Sequence, residues 1–172
     1  MQDIELTPHF KLREFVESTT ATRYGIRNEP PPEAVENLRL LCIGTLEPLR
    51  EALELPIIIT SGYRCRELNE RIVHRSRKSQ HVAGQAADFV VKGHTESTEN
   101  TEILNLSARE LLIRAFRTII LDSKIDFDQL IIYSGFIHVS YVSKEKNRRK
   151  LTQGFGDGKY QALSRYQALM LQ

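Results

Sequence analysis

The tightest restriction on this chain comes from Pro30, Pro31 and Pro32 and from the apolar stripe behind them. Three consecutive prolines cannot sit inside a helix, because each lacks an amide donor and its ring clashes with the preceding turn. The segment "GIRNEPPP" (Gly25 to Pro32) is therefore a loop. Pro32 suits the first turn of a helix, where a missing N–H costs nothing. A helix is expected from Glu33, with Val35, Leu38, Cys42, Leu46, Leu49 and Leu53 at three- and four-residue steps. Such a stripe must be buried against something, and the chain supplies short β-branched runs. "PIIIT" (Pro56 to Thr60), "AADFVV", "DQLIIY" and "FIHVSYV" read as strands. Ser134-Gly135 forms a tight hairpin turn between the last two.

A second strong helix is expected from about Ser107 to Leu121, with Leu111, Leu112, Ala115, Phe116, Ile119 and Ile120 on one side. Near the start, Thr7 suits an N-cap, with apolar Phe10, Leu12 and Phe15 behind it, so a short helix is expected there. "SGYRCRELNERIV" reads as a turn and short helix, and "HRSRKSQH" and "KGHTESTENTE" as polar loops. Helices precede and interrupt a run of strands that includes a hairpin, so the class is α+β.

The 172 residues, 41% hydrophobic, suffice for one buried core and give no sign of a second. A net charge of +2 gives no reason to expect nucleic acid as a partner. The basic runs "HRSRK" (His74 to Lys78) and "KEKNRRK" (Lys144 to Lys150) read as solvated loops. Cys42 and Cys65 form neither a disulfide framework nor a cysteine zinc site, and as free thiols they suit a reducing compartment. "MQDIELTPHF" lacks an apolar signal core, and no run nears the roughly 18 apolar residues of a membrane span. The expectation is cytoplasmic synthesis without a signal peptide, no membrane span, and a monomer.

Chemistry concentrates in "SQHVAGQAADFVV", Ser79 to Val91. Asp88 enters a strand that continues as apolar "FVV", so its carboxylate must be exposed at the strand's start, paired, or bound to a metal. Gly84, Ala86 and Ala87 let the backbone pass close to whatever His81 and Asp88 hold. That pair alone fits equally well a hydrogen-bonded surface or core couple. In "GFIHVSYV", alternation sets His138 apart from Ile137, Val139 and Tyr141. Two histidines and one aspartate are a competent zinc set that leaves a fourth position for water.

"SGYRCRELN", "SQHVAGQAADF" and "FDQLIIYSGFIHVSY", in that order, resemble the zinc D-Ala-D-Ala carboxypeptidases and related peptidoglycan peptidases of the VanY and phage-endolysin type. "HFKLREFVESTTATRYGIRNEPPPEAVENLRLL" and "LEPLREAL" resemble the family's N-terminal helical section. The resemblance covers residues 1–145 and leaves 146–172 as a basic, Gly-containing C-terminal tail. It implies a Hedgehog/DD-peptidase-like fold, a small antiparallel sheet with helices packed on it and a zinc site at the sheet. It makes Zn2+ the cofactor, His81, Asp88 and His138 the ligands, and a peptide bond of the peptidoglycan stem the substrate. Arg64 would steady the oxyanion or substrate carbonyl, and Ser79 and Gln80 would shape the peptide cleft. Tyr63 and Asn69 would close the turn and cap the helix that supports Arg64.

One departure stands out. The family places a carboxylate as general base shortly before the last histidine ligand; here Tyr133 takes that place. A tyrosine is a poor base at neutral pH but can donate to an oxyanion. Asp128, at the far end of its strand, is expected to order local structure. The alternative to an enzyme is therefore a zinc-bearing module, catalytically weak or inactive, that binds cell-wall peptide or a protein. Without an export signal, action on the wall needs lysis or another release route, the pattern of a phage or prophage endolysin.

Overall fold

The computed structural model describes residues 4–72, 78–93 and 106–172. Its class is α+β. The two basic or polar loops expected at 74–78 and 92–102 lie mostly outside the described residues.

The chain opens with a two-stranded ribbon, β1 (Glu5–Thr7) and β2 (Phe10–Lys11), and then α1 (Leu12–Val16). The helix start expected at Thr7 is corrected to Lys11. Thr7 instead pairs with Phe10 across the ribbon, which buries Leu6 and Phe10 in the core. Helix α2 (Thr19–Tyr24) is capped by Ser18.

Helix α3 (Pro32–Leu41) begins with proline in its first turn, as expected. It widens into a π-turn over Cys42–Leu46, closed by Glu47 N–H on the Cys42 carbonyl five residues back, and continues as α4 (Glu47–Leu53). The widening leaves the Gly44 carbonyl to accept Asp126 N–H at 3.0 Å, while Thr45 Oγ1 donates to Asp126 O at 2.6 Å. Leu38, Cys42, Leu46, Leu49 and Leu53 are buried as the stripe required, and Val35 lies half-buried at its edge.

Next come β3 (Ile57–Ser61), α5 (Arg66–Arg71), a 3₁₀ turn (Gln80–Ala83) and β4 (Ala86–Val91). Helix α6 (Ala108–Leu121) starts where expected because Ser107 and Glu110 form a reciprocal capping box. The hairpin β5 (Gln129–Ile132) and β6 (Ile137–Ser140) comes after it, then β7 (Lys150–Gly154), β8 (Tyr160–Ala162) and α7 (Arg165–Leu169).

The main sheet has order β3-β4-β6-β5-β7-β8. The expected antiparallel sheet holds from β3 to β5 and is corrected beyond it, where β7 runs parallel to β5. One face, carrying Ala87, Phe89, Leu130, Ile132, Ile137 and Val139, is buried beneath α6, and α6 in turn packs on α4. Residues 146–172 give two strands to this same sheet, and Ala168 of α7 is fully buried against its core. The basic run at 144–150 is solvated only in part. Arg148 and Arg149 leave it to pair with Asp128 and Asp126. Both cysteines are free thiols. Among the described residues no helix is long and apolar enough to cross a membrane.

Candidate metal centre

The sheet face away from α6 carries a row of directly opposed residues: Ser61, Asp88, His138, Ile131 and Thr152, on β3, β4, β6, β5 and β7. Opposed side chains on one face stand about 4.5–5.5 Å apart at Cβ. Pairing β4 with β6 thus sets a carboxylate beside an imidazole. A bulge in β3 between Ile59 and Ser61 brings Ser61 into the same row.

His81 arrives from the 3₁₀ turn above this row. The turn ends at Gly84, whose φ of +72° disfavours other residues and whose absent side chain leaves room for α3, because a Cβ there would clash with Ala34 O. Asn37 Nδ2 on α3 donates to Ala83 O at 2.8 Å, which fixes the other side of the turn. The smoothness of this segment at Gly84 therefore serves approach to α3. His81 is buried, and its Nδ1–H donates to Gly62 O at 2.7 Å, so Nε2 is left for the site.

Three ligand atoms converge. His81 Nε2 lies 3.2 Å from His138 Nδ1 and 3.3 Å from Asp88 Oδ1, and the last two are 2.8 Å apart. Among the described residues these three form the cluster able to hold a metal ion. Zinc–nitrogen and zinc–oxygen bonds of about 2.0–2.1 Å at tetrahedral angles put neighbouring ligand atoms about 3.3 Å apart. The residues present therefore fit zinc in spacing as well as in donor type.

Arg64 supports the carboxylate. Its Nη2 donates to Asp88 Oδ2 at 2.7 Å and its Nε to Ser61 Oγ at 3.0 Å, while its own N–H donates to His81 O at 3.2 Å. Asp88 Oδ2 is thus occupied, and Oδ1 faces the two histidines. Burial alone would raise the Asp88 carboxyl, but its close approach to the His81 and His138 imidazoles holds it well below the usual carboxylate range. Burial lowers the pKa of His81, opposed by Asp88 and aided by Arg64 and His138, and this favours the neutral imidazole that a metal requires.

Tyr63 closes the turn as expected, buried with its N–H on Phe15 O at 2.7 Å. Asn69 is corrected: it lies inside α5, and the cap of that helix is the Cys65 sulfur, which accepts Leu68 N–H at 3.5 Å. Asn28, unforeseen in the sequence, bridges Val16 O, Tyr63 O and Cys65 N–H and so pins the base of Arg64.

The centre opens into a cleft of about 410 Å³ lined by Arg64, Ser79, Gln80, Tyr133 and Tyr160 among others. Ser79 and Gln80 line it, with the Gln80 amide donating to Asp128 Oδ2 at 2.9 Å. Among its described lining residues Asp88 is the one carboxylate. Asp128 is buried beneath it. Its Oδ1 accepts Arg148 N–H and Nε–H at 3.0 and 2.8 Å, which gives it the ordering role expected. Tyr133 does stand at the cleft wall, stacked on Phe136 with its hydroxyl donating to Tyr160 Oη at 3.2 Å. Burial and Tyr160 push its pKa up, so the phenol stays a donor. Tyr160 itself could not be found from sequence, because only the β7–β8 pairing brings it here.

A model of the family described as Peptidase M15 matches residues 8–120, well over half of the chain. The chain belongs to that family. Its class is thereby that of the zinc metallopeptidases, the group of the D-Ala-D-Ala carboxypeptidases it resembles. The chain matches no curated protein. The M15 match stops at Ile120, so the places of Tyr133 and His138 in this M15 peptidase rest on strand register.

Proposed function

We propose that this M15 peptidase hydrolyses a peptide bond of the peptidoglycan stem, with zinc held by His81, Asp88 and His138 on a Hedgehog/DD-peptidase-like scaffold. The observation that carries the reading is the convergence of His81 Nε2, Asp88 Oδ1 and His138 Nδ1 within 2.8–3.3 Å. Zinc, when bound, supplies a Lewis acid for the scissile carbonyl and brings the pKa of water to about 7.

The chain's own residues supply the rest. Arg64 turns Asp88 Oδ1 toward the histidines by holding Oδ2, and its Nη1, without a hydrogen bond among the described residues, offers a fixed donor to a substrate carbonyl or carboxylate. Such a preoriented cation stabilises charge that develops in the transition state. Tyr133, protonated at neutral pH, donates to Tyr160 and leaves the Tyr160 hydroxyl as a second donor beside Arg64. A stem-peptide substrate would set the site of action at the cell wall.

The second reading, a zinc-bearing module that binds cell-wall peptide with little or no turnover, is favoured by one observation. Asp88 is the sole carboxylate among the described cleft residues and is already taken by its three partners. The test is hydrolysis of purified peptidoglycan and of a D-Ala-D-Ala-terminated stem peptide by zinc-loaded protein, against a chelated control. Zinc-dependent cleavage supports the enzyme, and its product names the bond. Binding without cleavage favours the module. Neither binding nor cleavage overturns both.

A further inference from the structure

The metal row is flanked unequally. Sheet order places Arg64, which comes just after β3, on one side of the trio, and β7 and β8 on the other. On that second side the lining residues Tyr133, Phe136, Phe155, Gly156, Gly158 and Tyr160 carry no charge. The two charges at the hairpin turn, Lys159 and Asp157, are paired with each other at 2.7 Å. Gly154 faces Tyr160 in the β7–β8 ladder, and the Tyr133 ring lies against it so closely that a Cβ there would clash with the ring. The Tyr133 ring is thereby fixed from three sides. Phe136 stacks on it at 4.4 Å, Tyr160 meets it edge-on at 6.3 Å, and Gly154 lies beneath. Phe155 and Tyr160 nonetheless leave 42% and 56% of their surface exposed, an aromatic area that the described residues do not cover.

We infer that the β7–β8 hairpin is a specificity wall of the cleft, in which Tyr160 and Phe155, with Tyr133 and Phe136, form an aromatic subsite for an uncharged, apolar side chain beside the scissile bond. The inference rests on the zinc-peptidase reading and deepens it. A charged side chain there would lose its hydration with no opposite charge among the lining residues of the β5–β6 and β7–β8 hairpins, the cleft's cations Arg64 and Lys78 coming from other segments. An apolar one instead buries surface against four rings. The subsite also gives residues 150–162, beyond the family match, a part in the function.

The test uses hydroxamic acids, which bind zinc without needing turnover. Acetohydroxamate, a phenylpropyl hydroxamate and an equally long hydroxamate ending in a carboxylate are titrated calorimetrically into zinc-loaded protein. The phenyl tail is expected to bind at least tenfold more tightly than acetohydroxamate, roughly the gain from burying one apolar group, and the carboxylate tail no more tightly than acetohydroxamate. Tyr160→Ala and Phe155→Ala should each reduce the phenyl preference several-fold, with zinc content unchanged in both and acetohydroxamate affinity unchanged in Phe155→Ala, and Tyr160→Phe should keep the preference. Equal binding of both tails by the wild type, or a preference untouched in both alanine variants, overturns the subsite. If acetohydroxamate itself fails to bind, the zinc reading falls and the subsite with it.

Discussion

Asp128→Asn is the sharpest perturbation of the support beneath the metal centre. The Asp128 carboxylate is 1% exposed and accepts four hydrogen bonds: three from Arg148, through its backbone N, Nε and Nη2, and one from Gln80 Nε2. An amide keeps one acceptor and turns an NH₂ toward the other pair of donors. Each bond to a charged group contributes about 1.5–3 kcal/mol, but the Arg148 side chain is 60% exposed and regains water when released. The net loss expected is about 2–3 kcal/mol, which for a domain of this size lowers Tm by about 4–12 °C.

The sign with pH is fixed. Burial raises the Asp128 carboxyl, and Arg148 and Gln80 lower it by more, so the folded value lies below the unfolded one. The contribution is therefore complete above the unfolded value of about 4 and fades as pH falls through the folded one. Calorimetric melts of chelated wild type and variant should show the full gap at pH 7 and a shrinking gap below pH 4. A Tm within 1 °C of wild type at pH 7, or a gap that widens toward acid, refutes the reasoning.

Three other outcomes are expected. His81→Ala and His138→Ala should each abolish stoichiometric zinc measured by atomic absorption after dialysis; retention in either sinks the ligand assignment. Arg64→Ala should weaken zinc binding by about 10–100-fold through loss of the hold on Asp88 Oδ2, with the fold kept by circular dichroism; unchanged affinity in a competition titration refutes that role. Gly84→Ala should cost about 2–4 kcal/mol in urea unfolding, from the left-handed backbone and the clash with Ala34 O, and an unchanged midpoint contradicts the close approach.

The sequence made visible whatever local chemistry decides. Pro32 and Ser107 start their helices where the residues demand, and the Leu38-to-Leu53 stripe is buried as its period requires. His81, Asp88 and His138 could be proposed together because two histidines and an aspartate make a zinc set, alternation set His138 apart from its apolar neighbours, and the family resemblance made all three ligands. Choices made between distant segments were hidden. Thr7 has the chemistry of a cap, yet pairing with Phe10 prevailed. The π-turn answers to Asp126, more than 80 residues on. The parallel β5–β7 register, and with it the Arg148–Asp128 pair and the placing of Tyr160, has no local signature at all.

The direct opposition of Asp88 and His138 across β4 and β6 would also make a metal bound there a proofreader of the fold. A slip of one residue would set Asp88 against Ile137 or Val139 and turn one strand's polar row into the core. These two strands lie about 50 residues apart in the chain, so their pairing closes a long loop, a step slower than forming local helices. Only the native alignment presents all three ligand atoms to one ion. Binding energy of such an ion would then accrue to the correct alignment alone, so metal supply would govern how much of the chain reaches the right topology.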